Sequence, residues 1–374
     1  MVGAGIVGCA AAYELARRGA RVCLVDRGEV SGGTTGLGEG NVLCCDKPTV
    51  DAELDLARRG LLLYEEIEEL LGAEAGLRRK GALLVHPGAE VPVGEAARLE
   101  QMRAAGVQCE ALDAEQTRAA EPELSGALAG SSLFPRDLQC APRGIARGLA
   151  RRAADLGTRI ISGRAVRAIA VRDGRVDGLT TADGPLGADR VLLAAGPWSA
   201  GLAREAGLEL PVEPRKGQLV RLERRPDFLR HKVVEGAYMD SVASPAAGLE
   251  VTTVMETTLD GHVLVGSSRE RRGFDLSVDR RVSAAMLERA CRLAPGLARM
   301  APTDAWAGLR PWLPDGLPAI GPSRVVDGLW VAAGHEGAGV ALGPITGRLV
   351  AQGICGELAE VDLAPFDPDR FSPS

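Results

Sequence analysis

The sequence predicts a protein of mixed class, α/β plus α+β, in which a discontinuous α/β domain with a parallel sheet carries an inserted, mostly antiparallel β-sheet domain. Three observations lead to this prediction. A glycine-rich strand–helix–strand unit opens the chain; two later apolar strands also end in glycine and run into helices; and the segments between them alternate strands with Gly and Asp turns. With 374 residues, 46% of them hydrophobic, the chain is long enough for two globular domains.

The opening unit has the spacing of a Rossmann-like dinucleotide-binding motif. Its glycines form a Gly-x-Gly-x-x-Gly pattern at Gly3, Gly5 and Gly8. A helical pattern (residues 9–18) and a buried strand (residues 21–25) follow, and Asp26 closes the strand. Such glycines let the backbone approach a pyrophosphate at the free N–H groups of the helix N-terminus. The Asp26 carboxylate stands where it can accept hydrogen bonds from ribose hydroxyls.

Two further strands, residues 190–195 and 329–333, end at Gly196 and Gly334. Ligands in doubly wound sheets sit beyond the carboxyl ends of the parallel strands, so one site assembled from the whole chain is expected. The strands predicted at residues 81–85, 217–223, 249–258 and 261–266 form the inserted sheet. The nucleotide-binding domain is expected to comprise residues 1–80, 136–213 and 306–374, and the substrate domain residues 81–135 and 214–305.

A glycine-rich loop, residues 31–41, follows Asp26 and indicates which dinucleotide binds. Its small side chains and exposed N–H groups can wrap an extended ligand at little steric cost. A simple nicotinamide-binding unit does not need such a loop, whereas a buried FAD does. FAD is therefore the predicted cofactor, with an NAD-dependent dehydrogenase as the alternative.

Composition argues against several other classes of protein. The 44 basic and 50 acidic residues give a net charge of −6 without a basic block, so no nucleic-acid partner is expected. No apolar stretch reaches the roughly 18–20 residues that span a bilayer, so no stable membrane insertion is expected. The eight cysteines are scattered without a CxxC pair, and no secretory leader is evident, which favours a cytoplasmic protein. The four histidines form no spaced metal set, so no metal is predicted.

Several motifs together resemble the D-amino-acid oxidase superfamily of FAD-dependent oxidoreductases, which contains glycine oxidase, sarcosine oxidase and D-amino-acid dehydrogenase. They are residues 2–8, 31–41, 194–199, 217–218, 308–311, 315–318 and 334–339, in the family's order along nearly the whole chain. The resemblance implies oxidation of an amine to an imine, with hydride transfer from the α-carbon to flavin N5. It implies a small amino- or imino-acid substrate: a D-amino acid, D-proline or D-hydroxyproline, glycine, sarcosine or an opine.

A narrower resemblance concerns residues 38–41, 257–262, 266–269, 273–275 and 335–337. They are similar to the flavin subunits of D-hydroxyproline dehydrogenase, opine oxidase and hydrogen cyanide synthase. This resemblance implies partner subunits that carry FMN or iron–sulfur centres. The chain itself lacks the cysteine spacing for such a cluster.

Four residues are candidates for direct action on the substrate. By resemblance, Arg310 occupies the position that binds the substrate carboxylate, which a guanidinium can grip with two parallel N–H bonds. Tyr238 is a candidate lid or carboxylate partner, Glu256 can bind a substrate amine or hydroxyl, and His335 can flank the flavin ring. Each also has a structural alternative. Arg310 could form an ion pair and Tyr238 could be a half-buried aromatic, while Glu256 could be a solvated strand residue and His335 a polar loop residue.

The cofactor contacts are predicted from the glycine motifs and the resemblance together. They comprise Gly3, Gly5, Ile6, Val7, Gly8, Asp26, Arg27, Thr34, Thr35, Gly38, Glu39, Gly40, Asn41, Val166, Ala195, Gly196, Trp198, Gly334, His335, Glu336, Gly337, Ala338, Gly339 and Val340. A helix expected at residues 343–355, with Pro344 in its first turn, would present its positive end to the N1–C2=O edge of a reduced flavin.

A third hypothesis is a non-catalytic subunit that holds FAD without oxidising anything itself.

Overall fold

A computed structural model describes residues 1–49 and 52–372. Its helices are α1 (Ile6–Arg17), α2 (Thr34–Leu37), α3 (Ala52–Leu71), α4 (Glu95–Ala104), α5 (Ala114–Ala120), α6 (Pro142–Asp155), α7 (Ser199–Glu205), α8 (Ala237–Ala243), α9 (Arg280–Leu293) and α10 (Gly339–Cys355). Its strands are β1 (Cys23–Val25), β2 (Asn41–Val42), β3 (Ala82–Pro87), β4 (Glu110–Asp113), β5 (Leu128–Phe134), β6 (Leu138–Gln139), β7 (Arg159–Ile161), β8 (Val166–Arg172), β9 (Arg175–Thr181), β10 (Gly184–Gly187), β11 (Val191–Leu193), β12 (Glu213–Arg224), β13 (Lys232–Glu235), β14 (Glu250–Thr257), β15 (His262–Arg269), β16 (Pro302–Trp312), β17 (Ala319–Pro322) and β18 (Leu329–Ala333).

A parallel sheet joins segments from the beginning, middle and end of the chain. Strand β7 pairs with β1 and β11 pairs with β18, both in parallel, while β17 adds an antiparallel edge. Val2 connects the two halves, because it bridges Val25 on one side and Leu193 on the other, again in parallel. The strands at the start of the chain, near residue 190 and near residue 330 are therefore neighbours, and their carboxyl ends share one edge.

Helices α1 and α10 pack against each other at a close backbone approach. A Cβ atom added to Gly347 would lie 2.6 Å from the amide nitrogen of Ala11, so a side chain there would separate the helices. Helix α1 begins at Ile6, three residues before the expected start. The helical pattern missed this turn because Gly8 interrupts the apolar spacing, although its missing side chain lets α1 pass beside the Gly3 carbonyl.

Helix α10 also differs from the prediction, since it begins at Gly339 and contains Pro344 in its interior. A proline has no N–H to donate to the carbonyl four residues earlier, which here belongs to Val340. The Tyr64 hydroxyl donates a hydrogen bond to that carbonyl at 2.5 Å and so replaces the missing donor. The helix can therefore start one turn earlier than its proline suggests.

The second large sheet has the strand order β16-β12-β15-β14-β13-β3-β5-β4. All neighbouring strands in it are antiparallel except β13 and β3, so the predicted mostly antiparallel sheet is confirmed. Helix α9 covers one face, where Val282, Met286 and Ala290 join a core with Val220 and Val263.

The numerical domain boundaries given above stay predictions. In the described ranges, no helix combines the length and hydropathy needed to cross a bilayer.

Candidate active site

A cavity of about 920 Å³ lies where the carboxyl edge of the parallel sheet meets the second sheet. Each of the three turns that follow these strands contributes a residue to its lining: Gly3, Gly196 and His335. The junctions converge because Val2, β11 and β18 are adjacent and parallel. The expectation of one site built from distant glycine bends is therefore met.

One end of the cavity is formed by the first turn of α1 and the end of β1. The Asp26 carboxylate accepts hydrogen bonds from the Ala4 and Gly28 amides, both at 2.7 Å. The Thr35 hydroxyl accepts one from the Ile6 amide at 3.0 Å. A Cβ atom on Gly5 would come within 3.2 Å of that hydroxyl, so the glycine keeps a narrow space open beside the helix N-terminus. This end offers N–H groups and a fixed carboxylate, the donor and acceptor set that a nucleotide needs.

Beside this end, the Trp198 indole lies between two side chains. The Arg27 guanidinium sits 3.7 Å from its ring centroid, and the Phe274 ring stacks on it at 5.5 Å with an interplanar angle of 19°. Arg27, Trp198 and Val166 all line the cavity. Phe274 comes from the chain segment after β15, so a residue of the second sheet's connections supports this wall.

The loop of residues 31–41 forms the middle wall and is tied to β16. The Thr34 hydroxyl donates to the Leu309 carbonyl at 2.6 Å, and the Trp306 indole N–H donates to the Leu37 carbonyl at 2.8 Å. The predicted residues Thr34, Thr35, Gly38, Glu39 and Asn41 all line the cavity. The loop therefore joins the cavity's two ends.

The opposite end of the cavity contains Arg310 on β16. Its Nη1 donates to the Ser268 carbonyl at 3.0 Å, and its Nη2 lies 3.4 Å from the Ser267 hydroxyl. A Cβ atom on Gly217 would lie 2.2 Å from Nη1, so this position must be glycine for the guanidinium to lie in the wall. In the described part of the chain, no carboxylate stands within ion-pair distance of Arg310.

Two more guanidiniums, of Arg215 and Arg269, converge on Glu336 next to this end. The Glu336 carboxylate lies 3.4 Å from Arg269 and 3.7 Å from Arg215. Burial acts to raise the pKa of Glu336, but the charges of Arg269, Arg310 and Arg215 outweigh it and hold that pKa below its usual value. Glu336 is therefore ionised at neutral pH and lines the cavity as an anion.

Tyr238 lies in α8, with its ring under the Arg269 guanidinium at 4.4 Å. The phenol is buried and lines the cavity beside Gly337. Burial raises its pKa above the usual value, against the opposing charge of Arg269, so the phenol keeps its proton and can donate a hydrogen bond. This position suits the predicted contact with a carboxylate ligand.

His335 lines the cavity and has its Nε2 3.0 Å from the Thr346 hydroxyl of α10. Burial lowers the pKa of His335 from 6.5 to about 4. The imidazole is therefore neutral at pH 7, and it would contact a bound ring as an uncharged group.

The depressed pKa of His335 predicts a pH-dependent stability. Because the unfolded chain binds the extra proton below pH 6.5 and the folded chain only near pH 4, the unfolding free energy should fall by about 2 kcal/mol between pH 7 and pH 5 through this residue. Urea unfolding at both pH values should show that difference in the wild type and a smaller fall in His335→Gln. Equal falls in both proteins would contradict the assignment.

Five predicted site residues do not line the cavity. They are Gly8, Gly40, Gly334, Ala338 and Glu256. The three glycines serve close packing. An added Cβ atom would lie 1.9 Å from the Gly3 carbonyl oxygen at Gly8, 1.9 Å from the Cys140 carbonyl oxygen at Gly40, and 2.1 Å from a Leu313 methyl at Gly334. Ala338 is buried in the turn before α10.

Glu256 was expected to face the cavity, and the structure places it behind the cavity wall. Its carboxylate is 1% exposed and lies 3.4 Å from the Lys232 ammonium and 3.3 Å from the Lys80 ammonium. Gln139 donates to it at 2.6 Å. Strand β14 is buried at consecutive positions, and the Glu256 carboxylate faces lysines and not the cavity.

Several cavity residues were outside the predicted set. They include Gly28, Glu29, Gly33, Leu37, Arg143, Arg147, Arg164, Pro197, Gly217, Leu219, Gly308 and Pro311. Gly217 and Gly308 belong to motifs that carried the resemblance, but no role was assigned to them. Arg215 and Arg269, which contact Glu336 behind the cavity lining, were not predicted either. For Arg269 the sequence holds a signal, because an arginine that ends the apolar strand β15 indicates a buried ion pair. The sequence shows no comparable signal for Arg143, Arg147 or Arg164.

The fold and the cavity together define a flavin-dependent oxidoreductase. The family model for FAD dependent oxidoreductases (DAO) matches residues 1–353, so the chain belongs to this family, and FAD is its cofactor. Glycine oxidase of Pseudomonas aeruginosa is 32% identical over 98% of this chain and 97% of that protein. Hydrogen cyanide synthase subunit HcnC of the same species is 30% identical over 100% of this chain and 96% of that protein. The crystal structure of glycine oxidase from Geobacillus kaustophilus superimposes with a TM-score of 0.88 at 29% identity, covering 100% of this chain and 98% of that one.

The residues of this chain fit FAD. A Cβ atom on Gly5 would intrude on the space beside the helix N-terminus, 3.2 Å from the Thr35 hydroxyl, and the first turn of α1 has N–H groups without helical partners. The cavity volume of about 920 Å³ is at the upper end of small-molecule sites, as a dinucleotide requires. Residues at the Asp26 end would hold the adenosine, and the N-terminus of α10 with Gly337 and Gly339 would face the pyrimidine edge of the flavin. The family assignment selects FAD over the NAD alternative.

Proposed function

We propose that this chain oxidises the α C–N bond of a small amino or imino acid that carries a free carboxylate. The observation that carries the proposal is Arg310, a guanidinium in the cavity wall without a carboxylate partner among the described residues. The candidates are a D-amino acid, D-proline or D-hydroxyproline, glycine, sarcosine and an opine. The names of two similar proteins, glycine oxidase and D-amino acid dehydrogenase, support an amino-acid substrate.

Charge balance also supports a single carboxylate on the substrate. Arg215, Arg269 and Arg310 form one cluster, and Glu336 and Glu250 are the carboxylates within it. Three guanidiniums therefore face two carboxylates, and one positive charge in this group of described residues is uncompensated. A substrate carboxylate at Arg310 would neutralise it, because buried charges are stable when paired.

The side chains around Arg310 would orient the substrate. Ser267 and Ser268 fix the guanidinium plane, and the protonated Tyr238 phenol can donate a hydrogen bond to the bound carboxylate. FAD, when bound, supplies the hydride acceptor for the α-carbon, which leaves an imine that hydrolyses or, if cyclic, persists. No side-chain base is needed if the amine reacts in its neutral form, which fits a site whose histidine is buried and uncharged.

The proposal predicts a direct spectroscopic result. Purified protein should be yellow and should lose its flavin absorbance without oxygen when a suitable amino acid is added. Glycine, sarcosine, D-alanine, D-proline, D-hydroxyproline and an opine should be screened in parallel, with the matching carboxylic acids that lack the amine as controls. Flavin that never bleaches with any amine, alone or with artificial acceptors, would instead favour the non-catalytic FAD-holding subunit.

A second candidate concerns the electron acceptor and is favoured by the similarity to a protein named as a subunit. Here the chain is the flavin subunit of a multi-subunit dehydrogenase whose partner subunits carry FMN or iron–sulfur centres. After anaerobic reduction, admission of air separates the two candidates. Rapid recovery of flavin absorbance with oxygen uptake supports an oxidase, whereas slow recovery in air and rapid recovery with an artificial acceptor support a dehydrogenase subunit.

A further inference from the structure

Glu39 brings a further carboxylate into the cavity, on the wall formed by the loop of residues 31–41. Its side chain is 11% exposed, and its two carboxylate oxygens have different surroundings. Oxygen Oε2 accepts hydrogen bonds from the Lys232 ammonium and from the Asn41 amide, the latter at 3.0 Å. Oxygen Oε1 has no donor among the residues that the structure describes, and a Cβ atom on Gly266 would lie 2.8 Å from it.

A buried row of alternating charges holds Glu39 in this position. Behind it the Lys232 ammonium contacts the Glu256 carboxylate, and Glu256 contacts the Lys80 ammonium at 3.3 Å. The Lys232, Glu256 and Lys80 side chains are between 1% and 6% exposed. The row carries two positive and two negative charges and is neutral as a whole. None of its described members donates a hydrogen bond to Oε1 of Glu39. It fixes the Glu39 carboxylate and leaves one acceptor directed away from the row.

Glu39 and Arg310 meet consecutive residues of β15. Gly266 faces Oε1 of Glu39, while the Ser267 hydroxyl and the Ser268 carbonyl contact the Arg310 guanidinium. Neighbouring positions along a strand are about 3–7 Å apart, so an anion and a cation are available over a span that one small amino acid can bridge. An amino acid at neutral pH has the complementary pair, a carboxylate and an ammonium on one carbon.

We propose that Oε1 of Glu39 accepts a hydrogen bond from the amine of the substrate, so that Arg310 and Glu39 bind the two ends of a zwitterion. This inference rests on the proposed function and adds a specificity-determining residue to it. It gives Glu39 a role at the substrate, whereas the sequence placed it only among the cofactor contacts. The site then selects amino acids over carboxylic acids of the same shape.

The test compares two unreactive ligands that differ only at the amine. 2-Aminoisobutyrate has no α-hydrogen to transfer, and pivalate replaces its amine by a methyl group. Titrations of the FAD-bound protein, followed by flavin absorbance, give the ratio of the two dissociation constants. The wild type should prefer 2-aminoisobutyrate, and Glu39→Gln should lower that preference by about 10- to 100-fold, as expected when a hydrogen bond between charged groups is lost.

Two further variants complete the experiment. Glu39→Asp keeps the charge but withdraws it by one methylene, so an intermediate preference is expected, and the exposed Glu69→Gln should behave as wild type. A wild type without preference for the amine, or a preference unchanged in Glu39→Gln, overturns the inference. Loss of FAD from Glu39→Gln with an unchanged preference would assign Glu39 to the cofactor. Because bleaching by amino acids is scored separately on the wild type, failure here leaves the proposed function standing.

Discussion

Replacing Arg310 with alanine is expected to weaken the binding of carboxylate ligands by about 100-fold or more, because it removes a charge-assisted contact that can be bidentate. The fold should tolerate the change. Arg215 and Arg269 would then face Glu336 and Glu250, a balanced set of charges. Titration with pivalate or with a substrate that bleaches the flavin measures the effect.

Two control variants make the Arg310 result specific. Arg310→Lys keeps the positive charge but loses the planar pair of donors, so an intermediate affinity is expected. Arg292→Ala removes an exposed guanidinium, 71% exposed in its ion pair with Glu288, and tests the effect of net charge alone. A carboxylate affinity in Arg310→Ala within a few-fold of wild type would rule out the assigned role.

Replacing Glu256 with glutamine is expected to lower the free energy of unfolding by about 3–5 kcal/mol, the usual cost of removing one partner of a buried ion pair. Lys232 would then keep Glu39 as a counter-charge, whereas Lys80 would lose the carboxylate it contacts. Burial acts to raise the pKa of Glu256, but these two lysines outweigh it and hold the pKa below 4.5. The stabilisation is therefore present above about pH 4.5 and is lost as the pH falls further.

Urea unfolding of the FAD-bound protein at pH 7 measures this prediction. Glu68→Gln is the matched control, because it breaks an ion pair with Arg79 whose side chains are 38% and 50% exposed, and about 1 kcal/mol or less should be lost. A small loss of stability in Glu256→Gln combined with a large loss of substrate affinity would instead support direct contact between Glu256 and the substrate.

The class of fold and most of the residues that line the cavity at its Asp26 end follow from local sequence patterns. Glycines at Gly3 and Gly5, the carboxylate of Asp26 and the loop of residues 31–41 each depend on backbone conformation within a few residues, and such conformations are encoded locally. The edge at which these parts meet was also predictable, because parallel strands that enter a doubly wound sheet end on the same side.

The tertiary structure alone decided which charged residues face the cavity. Glu39 lies in a glycine-rich loop and Glu256 in a strand, and the sequence placed both at the site. Lys232, 193 positions after Glu39, contacts both carboxylates, but only Glu39 lies in the cavity wall. Arg215 and Arg269 likewise meet Glu336 only through the packing of β12 and β15 against the turn before α10. Periodicity identifies which face of a strand is buried, but the pairing of buried charges depends on contacts between residues far apart in the chain.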